Sequence, residues 1–440
     1  MASIRKRGNT YQITVSNGRD VMGNQIREMT TFTPDQSLTT NQQKKSLEAF
    51  VFEFEQKVKA GKVLKGEKIT FMDYTELWLK DYAQNQLEAT SLSNYKQHLN
   101  VRILPAIGHL KIADINPLHL QSLYNNLTED GVRSDGKKGG YSYQTIKKTH
   151  AIISNMLKTA VYWQMIESNP CDRVQVPNLD KSKEKKVKYF TQEQAEIFLS
   201  FLDKPHTTTY KAHARIDDTG KSYTVNDYKE SRTIPEQLKL FFYLSIFGGF
   251  RRGELVAITW NDIDFENNAI SINKSSAYVD KKTITKSPKS ISSNRLISLP
   301  DFIIAMARHW KIEQAKYKLE LGDQWVVTEG NDLKYVYTQW NGKQMAPSTP
   351  YQTFKKIIGW YNETVENEDE KLPDIPLHGL RHTSASLLIS KNLDIQTISG
   401  RLGHSSSNVT FGIYAHSFKK MDKVAADILG DMLPAKKKSI

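Results

Sequence analysis

The sequence runs Leu377-His378-Gly379-Leu380-Arg381-His382, returns at Leu402-Gly403-His404 and reaches Tyr414 ten residues after that histidine. A tyrosine hydroxyl is a poor nucleophile at its ordinary pKa. It becomes useful beside groups that take its proton and neutralise the centre it attacks. The residues upstream are of that kind. His378 and Arg381 share a helical face at a spacing of three, and His404 adds a second imidazole. Such a set points to a tyrosine that attacks a phosphodiester.

The chain has 440 residues, enough for two or three domains. It carries 61 Lys and Arg against 48 Asp and Glu, a formal net charge of +13. Both signs are abundant, so the charge belongs to a folded basic protein, and a surplus of this size suits a polyanionic partner, nucleic acid first. One cysteine, Cys171, leaves no internal disulfide and no multi-thiolate metal site. No apolar run approaches the roughly 18–20 residues needed to span a bilayer, and Met1 to Gly8 is basic without an apolar stretch behind it. No membrane association is expected, and the expected location is the cytoplasm, on the nucleoid.

The pattern predicts a multidomain α+β chain. Residues 1–62 read as a small domain of three short strands and one helix. Tyr11, Ile13 and Val15 alternate with polar residues, as do Ile26, Glu28, Thr30 and Phe32, while Leu47, Phe50, Val51, Phe54 and Val58 recur at helical spacing. Asn17-Gly18 and Gly23-Asn24 read as turns. Arg5, Lys6, Arg7, Arg19 and Arg27 sit on these strands and turns. A small strand ribbon fits the major groove, so they are candidate DNA contacts; a solvated basic sheet surface is the alternative.

Gly61–Lys68 reads as a linker. Residues 69–178 read as a helical domain: Phe71, Tyr74, Leu77, Trp78 and Tyr82 form one stripe, Ser91–Leu99 opens a second helix that Leu104-Pro105 should break, Asn116 caps a third with Pro117 in its first turn, and Tyr143–Trp163 is a fourth. Tyr95, Lys96, Lys147, Lys148 and Lys158 are candidate DNA-facing residues there; lysines on helices also simply solvate them. The lysine run from Asp180 to Lys188 reads as an exposed connector. Residues 189–433 form the third and largest domain, mainly helical with a small antiparallel sheet near 264–299. Residues 203–233, polar and aperiodic, are an insertion or a flexible flap.

Five pieces of this last domain line up: Gly249-Phe250-Arg251-Arg252-Gly253-Glu254-Leu255, Pro288-Lys289-Ser290, His378-Gly379-Leu380-Arg381, Leu402-Gly403-His404 and Tyr414. In this order they resemble the tyrosine recombinases, the phage-integrase family, whose pattern is an Arg in a Gly-x-Arg-x-x-Glu-Leu setting, a hairpin Lys, His-x-x-Arg, Leu-Gly-His and a Tyr nine or ten residues on. The N-terminal strands resemble the arm-binding domain of integrases from conjugative transposons and Gram-positive phages, and residues 69–178 resemble the core-binding, SAM-like domain.

The resemblance implies catalytic roles for Arg251, Lys289, His378, Arg381, His404 and Tyr414, with Glu254 as support. Arg251 and Arg381 would hold the scissile phosphate, as planar, permanently charged guanidinium groups do well. Tyr414 would leave a 3′-phosphotyrosine, Lys289 would protonate the departing 5′-oxygen, His378 would take the tyrosine proton or hold the phosphate, and His404 would donate to it. Arg252 competes with Arg251, and Lys286 with Lys289. His382, next to Arg381, is expected to face elsewhere. No cofactor and no metal are expected. Expected partners are double-stranded DNA at core-type and arm-type sites, three further protomers in a tetramer, an excisionase and a DNA-bending host factor.

Overall fold

The computed structural model describes residues 2–19, 22–59, 68–177, 187–216, 220–280, 282–286, 294–326, 334–404, 406–408, 411 and 432. Lys289, Tyr414 and most of the two connector stretches lie outside the described residues. The chain divides into two compact units, Met1–Lys183 and Glu184–Ile440.

In the first unit, strands β1 (Ser3–Arg7), β2 (Thr10–Arg19) and β3 (Gln25–Phe32) form an antiparallel sheet in that order, followed by helix α1 (Thr40–Lys59). Alternation turns Ile13 and Val15 inward, where they cluster with Val58 of α1. The turn expected at Asn17-Gly18 is instead a bulge inside β2. The register shifts between Ser16 and Arg19, with Gly18 at φ +81°. The reason is Phe32. The longer ladder pairs it with Tyr11 and sets its ring 5.1 Å from Phe50, whereas a turn at 17–18 would move Phe32 out of reach of Tyr11.

The helical part of this unit has its own buried cluster. Helix α2 (Phe71–Trp78) starts in a capping box between Thr70 and Asp73 and buries Phe71, Tyr74 and Trp78. It continues through a π-helical turn (Leu79–Ala83) into α3 (Gln84–Gln86). Helix α4 (Ala89–His98) does not break at Leu104-Pro105 as expected. It passes through a second π-helical turn (Leu99–Ile103) into α5 (Leu104–Ile107). Pro105 has no N–H to give to the ladder, and the π-helical turn directly before it is where the helical path accommodates that loss. Asn116 caps α6 (Pro117–Asn126) by accepting from the His119 N–H, and α7 (Tyr143–Tyr162) buries Ile146, Ile153 and Leu157.

The second unit is built round α9 (Glu236–Phe247). Helix α8 (Gln192–Phe201) precedes it, opened by a Thr191–Gln194 capping box. Leu238, Leu240, Phe241, Phe242, Leu244, Ser245 and Ile246 of α9 are all buried, so the helix is apolar nearly all round and runs through the core. Between these helices, residues 203–233 are not one irregular loop. They hold two antiparallel pairs, β4 (His206–Tyr210) with β7 (Tyr228–Arg232) and β5 (His213–Ile216) with β6 (Ser222–Val225). The strands of β6 and β7 are exposed along nearly their whole length, so no apolar alternation marked them in the sequence.

After α9 come the short helix α10 (Arg252–Ala257) and strands β8 (Ile263–Asp264), β9 (Ala269–Ile272), β10 (Ser275–Val279), β11 (Lys282–Lys286) and β12 (Arg295–Ser298). The antiparallel sheet β12-β9-β8 and the hairpin β10-β11 supply the expected strand patch. Helices α11 (Asp301–Leu321), α12 (Ser348–Glu363), α13 (Gly379–Ser390) and α14 (Ile395–Leu402) follow.

Phe241 is fully buried, with ring centroids 5.4 Å from Tyr337 and 5.7 Å from Phe242. Phe241→Ala is expected to cost the second unit about 3–5 kcal/mol, read from urea unfolding followed by tryptophan fluorescence. An unchanged midpoint would mean that α9 is not the centre of its core.

Candidate active site

Gly248 ends α9, Gly249 turns the chain at φ +62°, and Arg251 is the N-cap of α10. The Arg251 backbone N–H donates to Glu254 Oε2 (2.9 Å), and its Nη1 donates to Glu254 Oε1 (2.8 Å). Arg251, and not Arg252, is the arginine that pairs with Glu254; Arg252 is exposed. The other terminal nitrogen, Nη2, donates to the carbonyl of Gly403 (2.9 Å). Gly403 caps α14 in the left-handed conformation (φ +66°) that releases the chain toward His404.

Arg381 lies in the first turn of α13 and is 2% exposed; its Nη1 donates to the Gly249 carbonyl (2.7 Å). The Arg381 guanidinium and the chain leading into Arg251 are therefore fixed to each other. His378, the N-cap of α13, keeps solvent access at the mouth of the site. His382 does not face elsewhere. One helical turn after His378, it sits edge-on to that ring with centroids 4.9 Å apart. Four residues return a side chain to the same face, and this periodicity outweighs the adjacency to Arg381.

The three imidazoles share one electrostatic environment. His378 stays exposed at the surface, yet partial desolvation first, then Arg381 and Arg251, hold it down to about 4, against the pull of Glu254. Burial, His378, Arg381 and His404 hold His382 down to about 4. Burial, Arg381, Arg251, His378 and Arg295 do the same for His404. All three are neutral at pH 7, and the same surroundings make His378 a weaker base than a free imidazole until an anionic phosphate offsets the guanidinium charge. Arg251, Glu254, His378, Arg381 and His404 thus meet at one place, brought from three stretches of sequence. Among the described residues, no group of three His, Cys, Asp or Glu is arranged to hold a metal ion. Lys286 ends β11 opposite Ser275.

Two arginines were not singled out from the sequence. Arg295 opens β12 and donates to both oxygens of Glu254 (2.7 and 3.2 Å) and to the Arg401 carbonyl (2.9 Å). Arg401 Nη2 donates to the carbonyls of Phe247 (2.8 Å) and Ser298 (3.1 Å). Neither lies in a motif. The only hint for Arg295 was a cation at the start of an otherwise apolar closing strand.

The candidate DNA contacts divide by register. Arg5 pairs with Gln12, Arg7 with Thr10, Arg27 with Ser16 and Arg19 with Gln25. Since Ile13 and Val15 face α1, these four arginines share the opposite, exposed face. Arg19 belongs there because the bulge changes its parity. Lys6 pairs with Tyr11 on the α1 side, its ammonium 5.8 Å from that ring. In the helical part, Lys96, Lys147 and Lys148 are exposed. Tyr95 instead stacks on Trp78 (5.7 Å, 11°) and its hydroxyl accepts from Asn155 (3.0 Å), which ties it to the core.

Residues 218–421 match the phage integrase family, and residues 70–128 match the SAM-like N-terminal domain of phage integrases. The chain belongs to the phage integrase family. Its members, the tyrosine recombinases, cleave and rejoin DNA in site-specific recombination. The chain is 25% identical to a XerC-like tyrosine recombinase of Caldanaerobacter subterraneus, over 96% of each chain. It is 24% identical to the ICEBs1 integrase of Bacillus subtilis, over 98% of this chain and all of the relative. In fold it is similar to the Tn1549 transposon integrase solved with transposon right end DNA (TM-score 0.60, 19% identity, 83% of this chain and 100% of that one). Among the described residues, no helix of this integrase-family chain is long and apolar enough to cross a membrane.

The depressed histidines set a pH dependence. The folded state holds them neutral, whereas unfolded histidine titrates near 6.5. Their contribution to stability is fully present above about pH 6.5 and is lost as pH falls toward about 4, because the unfolded chain binds protons first. Urea midpoints are expected to drop between pH 7.5 and 5, with a shallower drop in His382→Asn. A drop of equal size in that variant would refute the assignment.

Proposed function

We propose that the chain integrates and excises a mobile element by cutting and rejoining DNA through a 3′-phosphotyrosyl bond at Tyr414. The observation that carries this reading is the meeting of Arg251, Arg381, His378 and His404 at one place. Arg251 and Arg381 bind the non-bridging oxygens of the scissile phosphate and stabilise the charge that grows in the transition state. Neutral His378 takes the proton of the Tyr414 hydroxyl as its oxygen attacks phosphorus. The phosphorus–O5′ bond breaks, and Lys289 gives the departing 5′-oxygen its proton. His404 donates its N–H to the phosphate. A 5′-hydroxyl attacking the phosphotyrosine reverses these steps and rejoins the strand. The phosphodiester energy is kept in the protein–DNA bond, so neither nucleotide nor metal is required.

In this reading the chain has three domains, 1–62, 69–178 and 189–433. The exposed sheet face with Arg5, Arg7, Arg19 and Arg27 contacts arm-type DNA, and Lys96, Lys147 and Lys148 lie along core-type DNA. Four protomers join two sites, with an excisionase and a DNA-bending protein setting direction, in the cytoplasm on the nucleoid.

Incubation with a nicked duplex from the element's end, followed by a denaturing gel, is expected to give a covalent adduct that Tyr414→Phe abolishes. An adduct that survives in the variant would move the nucleophile elsewhere. Arg5→Ala combined with Arg27→Ala is expected to weaken arm-site binding and to reduce the log–log salt slope by about 2, one unit per phosphate contact. An unchanged slope would return these arginines to the solvated surface.

A further inference from the structure

Glu254 is 5% exposed, and two guanidinium groups converge on it. Its Oε1 accepts from Arg251 Nη1 (2.8 Å) and Arg295 Nη1 (3.2 Å); its Oε2 accepts from the Arg251 backbone N–H (2.9 Å) and Arg295 Nη2 (2.7 Å). A carboxylate offers about four lone-pair sites, so Glu254 is fully used. The two arginines differ in access. The Arg251 side chain is 38% exposed, that of Arg295 only 7%. Arg251 keeps solvent access, while Arg295 commits its Nε, Nη1 and Nη2 to the Arg401 carbonyl and Glu254.

Arg295 also reaches the other side of the site. Its Nε donates to the Arg401 carbonyl (2.9 Å) at the end of α14. Two residues on, a Cβ at Gly403 would lie 2.8 Å from Arg295 Nη1, so the guanidinium fills the space that this glycine leaves open. The Gly403 carbonyl in turn accepts from Arg251 Nη2, and His404 follows directly. Arg401 closes the circuit by donating to Phe247 at the end of α9 and to Ser298 on the strand that carries Arg295.

We propose that Arg295 is a positioning residue for strand cleavage: through Glu254 it orients Arg251, and through the Arg401 carbonyl it fixes the turn that presents His404. The proposal rests on the phosphotyrosine reading above. Two physical consequences follow from the geometry. A lone Arg251–Glu254 pair would be electrically neutral and drawn fully together, whereas Arg295 leaves the trio with a net positive charge available to the phosphate. A planar fork that holds two acceptors at once also transmits position, which an ammonium group on a flexible stem does not.

The test compares wild type, Arg295→Gln, Arg295→Lys, Glu254→Gln and the Arg295→Gln/Glu254→Gln double variant on a nicked duplex from the element's end. Three readouts are taken: single-turnover adduct formation at saturating DNA, DNA affinity, and the urea midpoint. Arg295→Gln is expected to slow adduct formation by about tenfold or more while affinity stays within about twofold. Arg295→Lys, which restores the charge but not the fork, should recover part of the rate. The double variant should be no slower than the worse single, because both act through one brace. Wild-type rates in Arg295→Gln would overturn the proposal. So would affinity and rate lost in equal measure with a lowered midpoint in both Arg295 variants, which would make the residue part of the fold alone. Absence of any wild-type adduct would sink the phosphotyrosine reading itself, a result distinct from either.

Discussion

A single buried carboxylate holds the site together. Glu254 is withdrawn from water, and an isolated charge there would be costly. Arg251 and Arg295 saturate its oxygens, and their attraction depresses its pKa against the opposing effect of burial. Breaking such a cluster on one side leaves a charge stranded, so each member depends on the others. The cluster is also where three parts of the unit join: the start of α10, the start of β12 and the turn after α14.

Around it, four arginine side chains do one repeated job. Arg251, Arg295, Arg381 and Arg401 each donate to a backbone carbonyl at Gly403, Arg401, Gly249 and Phe247 respectively. These carbonyls lie at helix ends or in the turns beside them, where acceptors are left without partners. The same groups that give the site its positive charge therefore lock the turns that carry the remaining site residues. Behind them, the apolar surround of α9 makes the Phe247–Arg251 turn a fixed platform. Preorganised donors of this kind need no rearrangement when charge develops on a phosphate.

The histidines show the cost of this arrangement. Desolvation first, and then the Arg381 guanidinium that all three face, hold them neutral far below the usual range of imidazole. That neutrality leaves a ring nitrogen open to a proton but makes it a weak base until phosphate charge is bound beside it, and it places a stability penalty on acid conditions.

Much was legible in the sequence. The helix cap at Asn116, the alternation of β2 and β3, and the ordered set from Arg251 to His404 are all local patterns, and local patterns are what side-chain chemistry and backbone period write directly into a sequence. The pairing of Arg251 with Glu254 is local too, since Glu254 one turn on reaches back to the N-cap. What the tertiary structure decided was competition between pairings. Asn17-Gly18 is a bulge because Phe32 must reach Phe50, and that bulge turns Arg19 to the exposed face. Leu104-Pro105 continues a helical path because a π-helical turn precedes it. Within residues 203–233, β6 and β7 bury too little to leave an alternating signature. Arg295 joins the site only because β12 is laid beside α14, a contact between positions far apart in sequence that no local period encodes.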